Sequence, residues 1–499
     1  MTFDTLRFCI FFMIVLGGFY LTPRAKRKYV ILVASICFYL LLDVKVCMLA
    51  LFTVVFTYFG TGVMEPLQQK KMVYGRCCFG IIIAVLLGIL GIFKYINFAS
   101  DIFYQVLRLF HFSGERKLFE LFATVGMSYY TLKAVMYVVE VYQKKTESEK
   151  DLVALASYLL FFPQIIAGPI DRPKSLLVQL KGELSYREEL VKKSILLLAS
   201  GYMKKLVIAN MVVGYVDSIY TDVSAYKGLT LLYGIFLYSI QIYCDYSGYS
   251  QISMGLAGML GIEVGDNFNC PYLALNIKDF WGRWHISLSS FLKDYIYIPL
   301  GGNRNGRVQK IKNTLVTFLL SGLWHGANYT FLVWGLFHGV LNCMCKKTKT
   351  KVIPVKSLKD RVKLVGRISI TFVCVTIGWV FFRAESLTQA VTLLARIVTT
   401  FRQSICVEGV LEMIMVYTGD MMSLSPFLMS AILVVVLLLR EYRYTYGGLS
   451  EAVKETDLSK NHDIQQKRER EQTIWLAFCV FAIVCFGSFG SQGFIYANF

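Results

Sequence analysis

Long apolar runs alternate with short basic gaps along most of the chain. A first run ends near Leu21 and a second rises to "DVK" at 43–45. A third returns to a gap holding Lys70, Lys71 and Arg76. Further runs lie at 77–93, 119–142, 152–170, 190–222, 228–262, 366–382, 425–439 and 473–495. They are continuous, without the two-residue alternation of a transmembrane barrel. At about 20 residues per crossing of a hydrocarbon core roughly 30 Å thick, the pattern predicts an all-helical polytopic membrane protein with about eleven or more spans. Several runs are interrupted by Pro and Gly, as in "FFPQIIAGPIDRP" at 161–173. Backbone broken at membrane depth is tolerated only where protein or a watery cavity covers it, so broken and re-entrant helices are expected.

The gaps orient these runs. Arg24, Lys26, Arg27 and Lys28 follow the first run. A cleaved signal carries its positive charges ahead of the apolar stretch, so this run is expected to remain as a span. Residues 301–313 hold Arg304, Arg307, Lys310 and Lys312 without an acid, and residues 346–367 hold nine Lys or Arg against Asp360. Both gaps should face the cytoplasm. Between them, Thr314–Cys345 is a run of 32 residues with no formal charge. Two cytoplasmic ends require two legs, and legs of about 16 residues reach only about 24 Å. The apex, near "HGANY", should therefore lie inside the membrane, with His325 at the bend.

Composition agrees with this picture. The chain is 56% hydrophobic and 17% charged, against about a quarter charged in soluble domains. The net charge of +19 sits in the gaps, which makes it a topology signal and leaves no reason to invoke nucleic acid. The thirteen cysteines fall mostly in apolar segments, such as Cys37, Cys47, Cys374, Cys479 and Cys485, where they are read as small buried hydrophobes. The pairs Cys77–Cys78 and Cys343–Cys345 lack companions at zinc-ligand spacing, so no metal site is expected.

Against this apolar background, a few polar side chains are candidates for chemistry. Ionisable groups within spans are functional candidates, although His325 and His338 could equally join helices through hydrogen bonds. Asn267–Arg307 carries Asp279, Arg283, His285, Lys293 and Asp294 among Trp281, Trp284, Phe291, Tyr295 and Tyr297. On a continuous helix Trp281, His285 and Ser289 would share one face. An interfacial amphipathic helix would account for Lys293 and Asp294, but less well for His285. Gln241, Asp245 and Tyr249 also share a helical face, as cavity lining or as a structural network.

Five stretches resemble the membrane-bound O-acyltransferase family, most closely its alginate O-acetylation branch. They are "VGMSYYTLKAVMYVVEVY" (125–142), "YLLFFPQIIAGPIDRP" (158–173), "YCDYSGYSQISMG" (243–255), "NFNCPYLALNIKDFWGRWHISLSSFLKDYIYIPLGGNR" (267–304) and "SGLWHGANYTFLVWGLFHG" (321–339). The resemblance implies one integral membrane domain over 1–499. Its helical core, with re-entrant and broken helices around a central passage, would carry the motifs over about 120–345, followed by C-terminal helices at 366–499. It implies transfer of an acyl group from a cytoplasmic thioester to a hydroxyl, with His325 of "LWHG" catalytic and His285 of "RWHIS" assisting. An imidazole suits the task, because a neutral hydroxyl attacks a thioester poorly unless a base takes its proton. A covalent acyl-histidine is the variant. Trp324, Asn328, Asp245, Tyr249, Trp281, Ser289 and His338 are the candidates to line the passage; His338 fits the family pattern without an assigned chemistry.

The resemblance further implies acetyl-CoA as donor rather than as a resident cofactor, residence in the cytoplasmic membrane, and an exported esterase-like transferase as partner. The acceptor would be alginate-like, another exopolysaccharide or peptidoglycan. Two alternatives remain: D-alanyl transfer to teichoic acid from an acyl-carrier protein, and an acyl-passage channel or transporter without chemistry of its own. Three positions depart from the branch pattern: Lys133 for Gln, Glu140 for Asp and Gly282 for Arg.

Overall fold

The computed structural model describes residues 2–111, 118–119, 121, 126–345, 357–418, 425–446 and 462–489. Helix boundaries follow local chemistry. Helix α1 (Leu6–Leu21) starts at Thr5, whose hydroxyl accepts the Phe8 N–H, and stops before Pro23. Helices α2 (Arg27–Leu42) and α3 (Val44–Lys70) meet at the single residue Asp43, whose carboxylate caps α3 through the Lys45 and Val46 N–H groups. Helix α4 (Met72–Leu109) returns alongside α3.

After α5 (Met127–Tyr142) the chain breaks as its prolines and glycines predict. Helix α6 (Leu152–Leu159) is capped by Asp151, one tight turn follows at Phe162–Gln164, and α7 (Pro173–Lys181) opens on proline. Helices α8 (Glu188–Tyr202) and α9 (Asn210–Thr221) form one rod, Glu188–Thr221, through π-helical turns at Met203–Ala209. Helix α10 (Gly228–Met259) is buried along most of its length and packs on α8 and α9.

Two short helices, α11 (Ile277–Trp281) and α12 (Ile286–Leu292), precede the hairpin α13 (Gly306–His325) and α14 (Tyr329–Met344). Then come α15 (Leu358–Arg383), α16 (Leu387–Ser404), α17 (Val407–Thr418), α18 (Ser425–Tyr446) and α19 (His462–Phe486).

Among the described residues, four helices are long and apolar enough to cross a membrane: α3, α4, the α8–α9 rod and α15. Leu6–Leu21, Leu152–Gln164 and Tyr329–Met344 are apolar but shorter. The expectation of about eleven or more spans is for the whole chain, part of which lies outside the described residues. Several runs fold as short legs, and α10, although long, carries Gln241, Asp245, Gln251 and many tyrosines and serines. The outer faces stay apolar, with Ile14, Val63, Ile81 and Val373 exposed as a lipid-facing surface requires. Cys47 and Cys479 are buried, but Cys37 and Cys485 lie on this outer surface.

The two ends of the bundle collect different residues. Tyr20 donates to the Met259 carbonyl and Arg27 to Leu184, so the basic loop after α1 meets the loops around 184 and 260. At the other end Arg383 pairs with Asp217, and Asn328 donates to the Glu385 carbonyl. The basic gap 346–367 lies partly outside the described residues.

Candidate functional site

The hairpin α13–α14 places His325. Its legs of 20 and 16 residues span about 30 and 24 Å, and α13 ends on His325 itself. Three residues turn the chain. Asn328 caps α14 by accepting the Thr330 N–H at 3.1 Å. The legs touch backbone to backbone: a Cβ at Gly322 would stand 2.2 Å from the Phe331 carbonyl oxygen, and one at Gly335 2.4 Å from that of Phe318. This close approach leaves His325 only 2% exposed.

His285 is placed by a break, and here the sequence expectation is corrected. Trp281, His285 and Ser289 do not share a continuous helical face. Helix α11 stops at Trp281, and His285 adopts the left-handed conformation (φ 44°) just before α12. Non-local bonds hold this uncommon geometry. The Ile286 N–H donates to the Asn267 carbonyl at 3.0 Å. The ring nitrogens meet Tyr246 Oη (Nε2, 2.5 Å) and Asn267 Oδ1 (Nδ1, 3.1 Å).

Asn267 Oδ1 also accepts from the Ser287 N–H and hydroxyl, which fixes that amide oxygen as an acceptor. Nδ1 of His285 is therefore the protonated nitrogen, and Nε2 accepts from the Tyr246 hydroxyl. Tyr129 Oη lies 3.3 Å from Tyr246 Oη and extends the chain.

Aromatic rings bring the three histidines together. The Trp324 indole lies between His285 (5.7 Å between centroids) and His325 (4.8 Å). Trp334 is 5.1 Å from both His325 and His338, and Trp281 is 5.2 Å from His338. The indole nitrogens of Trp281, Trp324 and Trp334, and both ring nitrogens of His338, are buried without a hydrogen-bond partner among the described residues. The three histidines and these indoles thus form one buried row of aromatic and imidazole rings, with several ring nitrogens enclosed in it.

Other expected residues lie apart from this row. Asp245 pairs with Lys205 at 2.6 Å, and the Lys205 ammonium stands 5.4 Å from the Tyr249 ring centroid. Beside them, Lys204 and Tyr243 contact Glu441. Helix α10 therefore turns Tyr246 towards His285 and gives Asp245 and Tyr249 to a separate buried ionic cluster. Ser289 donates to the Trp284 carbonyl and Asn328 serves as a cap. Of the departures from the family pattern, Lys133 donates to Gln164 Oε1 (2.5 Å) and the Tyr158 carbonyl, and Glu140 accepts from the Tyr295 hydroxyl at 2.7 Å. Among the described residues no three His, Cys, Asp or Glu side chains gather as a metal site.

Tyr246, Asn267 and Lys94, a residue of α4 whose ammonium donates to the Trp324 main-chain carbonyl, escaped the sequence reading. The first two lie within the quoted motifs, unremarkable as residue types. Lys94 had a readable signal, a cation set in a long apolar helix.

The model of the membrane-bound O-acyltransferase family, MBOAT, matches residues 148–383. The chain is 35% identical over 390 residues to the Pseudomonas aeruginosa protein named "Probable alginate O-acetylase AlgI", covering 76% of this chain and 71% of that protein. It is 31% identical over 438 residues to the peptidoglycan O-acetyltransferase of Helicobacter pylori, covering 81% of each. A shorter match, 30% over 231 residues, covers 44% of this chain and 58% of the teichoic acid D-alanyltransferase of Bacillus subtilis.

Proposed function

The chain belongs to the membrane-bound O-acyltransferase family, and from that premise we propose that it moves an acetyl group from a cytoplasmic thioester towards a hydroxyl on a cell-surface polysaccharide or an exported partner transferase. The observation that carries the reading is the position of His325, at the bend of a hairpin between two tryptophans and one indole away from His285.

The acceptor hydroxyl attacks the thioester carbonyl while His325 takes its proton. As the carbon–sulfur bond breaks, the imidazolium returns that proton to the leaving thiolate. Acetyl-CoA is the donor, arriving from the cytoplasmic face of the cytoplasmic membrane. His285 is engaged at both nitrogens, which suits it to orient Tyr246 and Trp324 rather than to serve as a second base. The matches to two O-acetyl-transferring relatives over three quarters or more of the chain favour acetyl over D-alanyl transfer.

Purified protein in vesicles should release free CoA from acetyl-CoA and label a soluble hydroxyl acceptor, while His325→Ala, folded to the same extent, should do neither. Turnover by that variant would remove His325 from the chemistry. D-alanyl transfer from a carrier protein with no use of acetyl-CoA would move the chain to the other branch. Acyl passage without transfer would make it a channel.

A further inference from the structure

Lys94 sits in α4, a helix that otherwise offers Ile81, Leu87 and Ile92 to lipid. Its ammonium donates to the Trp324 main-chain carbonyl and stands 5.6 Å from the centroid of the Trp324 ring. The next residue, Tyr95, donates its hydroxyl to the Leu323 carbonyl at 2.7 Å. Both carbonyls belong to the last turn of α13, where a helix that stops leaves its C=O groups without intrahelical partners. Two consecutive residues of a neighbouring helix thus cap the turn that ends on His325. A neutral donor could satisfy a carbonyl, whereas a charge in a span costs several kcal/mol. Among the described residues no carboxylate bonds Lys94 to offset that cost. A cation does have two uses here, since it complements the negative end of the helix dipole and the face of an indole.

We propose that Lys94 is a positioning residue for the transfer reaction: its charge locks the C-terminal turn of α13 and the Trp324 indole, and so fixes where the His325 imidazole points. The proposal rests on His325 as the base.

The experiment compares Lys94→Met, Lys94→Gln and Lys94→Arg with His325→Ala in purified, vesicle-reconstituted protein, following acetyl-CoA turnover across donor concentrations. Loss of a charged hydrogen bond that orients a base should lower kcat about 10- to 100-fold in the Met variant, with KM for acetyl-CoA moving less than about threefold. Lys94→Arg, which keeps the charge, should recover most of kcat. Should the Met variant not fold, Lys94→Gln carries the same expectation, because it keeps a donor and loses the charge. Wild-type kcat in the neutral variants, or an equal fall in the Arg variant, overturns the role of the charge and leaves His325 as base untouched. Activity in His325→Ala overturns the base itself, whatever Lys94 does.

Discussion

The Tyr246 hydroxyl lies 2.5 Å from His285 Nε2, while the far nitrogen of the same ring faces Asn267 Oδ1 at 3.1 Å. An imidazole held at both ends has one tautomer and one orientation. Removing Asn267 leaves a buried N–H without its acceptor, which costs about 1–3 kcal/mol. Asn267→Leu should therefore lower the unfolding midpoint and reduce transfer about tenfold or more as the ring is released. Tyr246→Phe keeps the Asn267 bond, so its effect should be smaller. Parallel rates and thermal scans check this; wild-type behaviour in both variants would leave His285 without its assigned partners.

Gly322 tests the hairpin that carries His325. A methyl group there would stand 2.2 Å from the Phe331 carbonyl oxygen, a backbone atom that cannot move without separating α13 from α14. Gly322→Ala should destabilise the protein by about 1–3 kcal/mol, as overpacking does, and should lose activity because His325 is one turn away. The control is Gly88, whose added methyl would have nothing within 4 Å. There, alanine should be neutral or stabilising by up to about 1 kcal/mol. Detergent-solubilised thermal unfolding separates the two, and a Gly322 variant as stable as the Gly88 variant would contradict the packing.

The helical membrane architecture and the family were legible in the chain, because apolar runs and the "RWHIS" and "LWHG" motifs are local signals. A turn near His325 was legible too, since a charge-free run between two basic gaps has to reverse. The break at His285 was not. Helical spacing puts Trp281, His285 and Ser289 on one face, but the left-handed backbone at His285 is held by Asn267 and Tyr246, residues that spacing cannot bring near. Asp245 could be identified as a buried charge needing an answer. Its partner Lys205 lies on another rod, within π-helical turns that no hydrophobic period predicts.

That ion pair makes its own prediction. The side chains of Lys205 and Asp245 are each 2% exposed, so removing either deprives the other buried charge of this ion pair. Asp245→Asn or Lys205→Met alone should cost about 3–5 kcal/mol, whereas replacing both with apolar residues of similar volume should recover most of the loss. Unfolding midpoints of the two single variants and the double variant form the cycle. Losses that simply add would show that the two charges act independently.

His338 is held where a methyl group at Gly378 would lie 2.5 Å from its Nε2. The ring has little room to swing, because Trp334 and Trp281 flank it at 5.1 and 5.2 Å, with Trp379 at 6.2 Å. Gly378→Ala should therefore destabilise the wild-type protein by about 1–3 kcal/mol. Truncating His338 to Ala opens space in which that methyl group fits, so Gly378→Ala should cost much less in the His338→Ala background. The coupling should reach about 1 kcal/mol or more, as expected of residues in contact. Activity separates packing from chemistry. If His338 only fills the space beside α15, the double variant should regain transfer in step with its regained stability. If its nitrogens contact the passing acyl donor, stability should return and transfer should not.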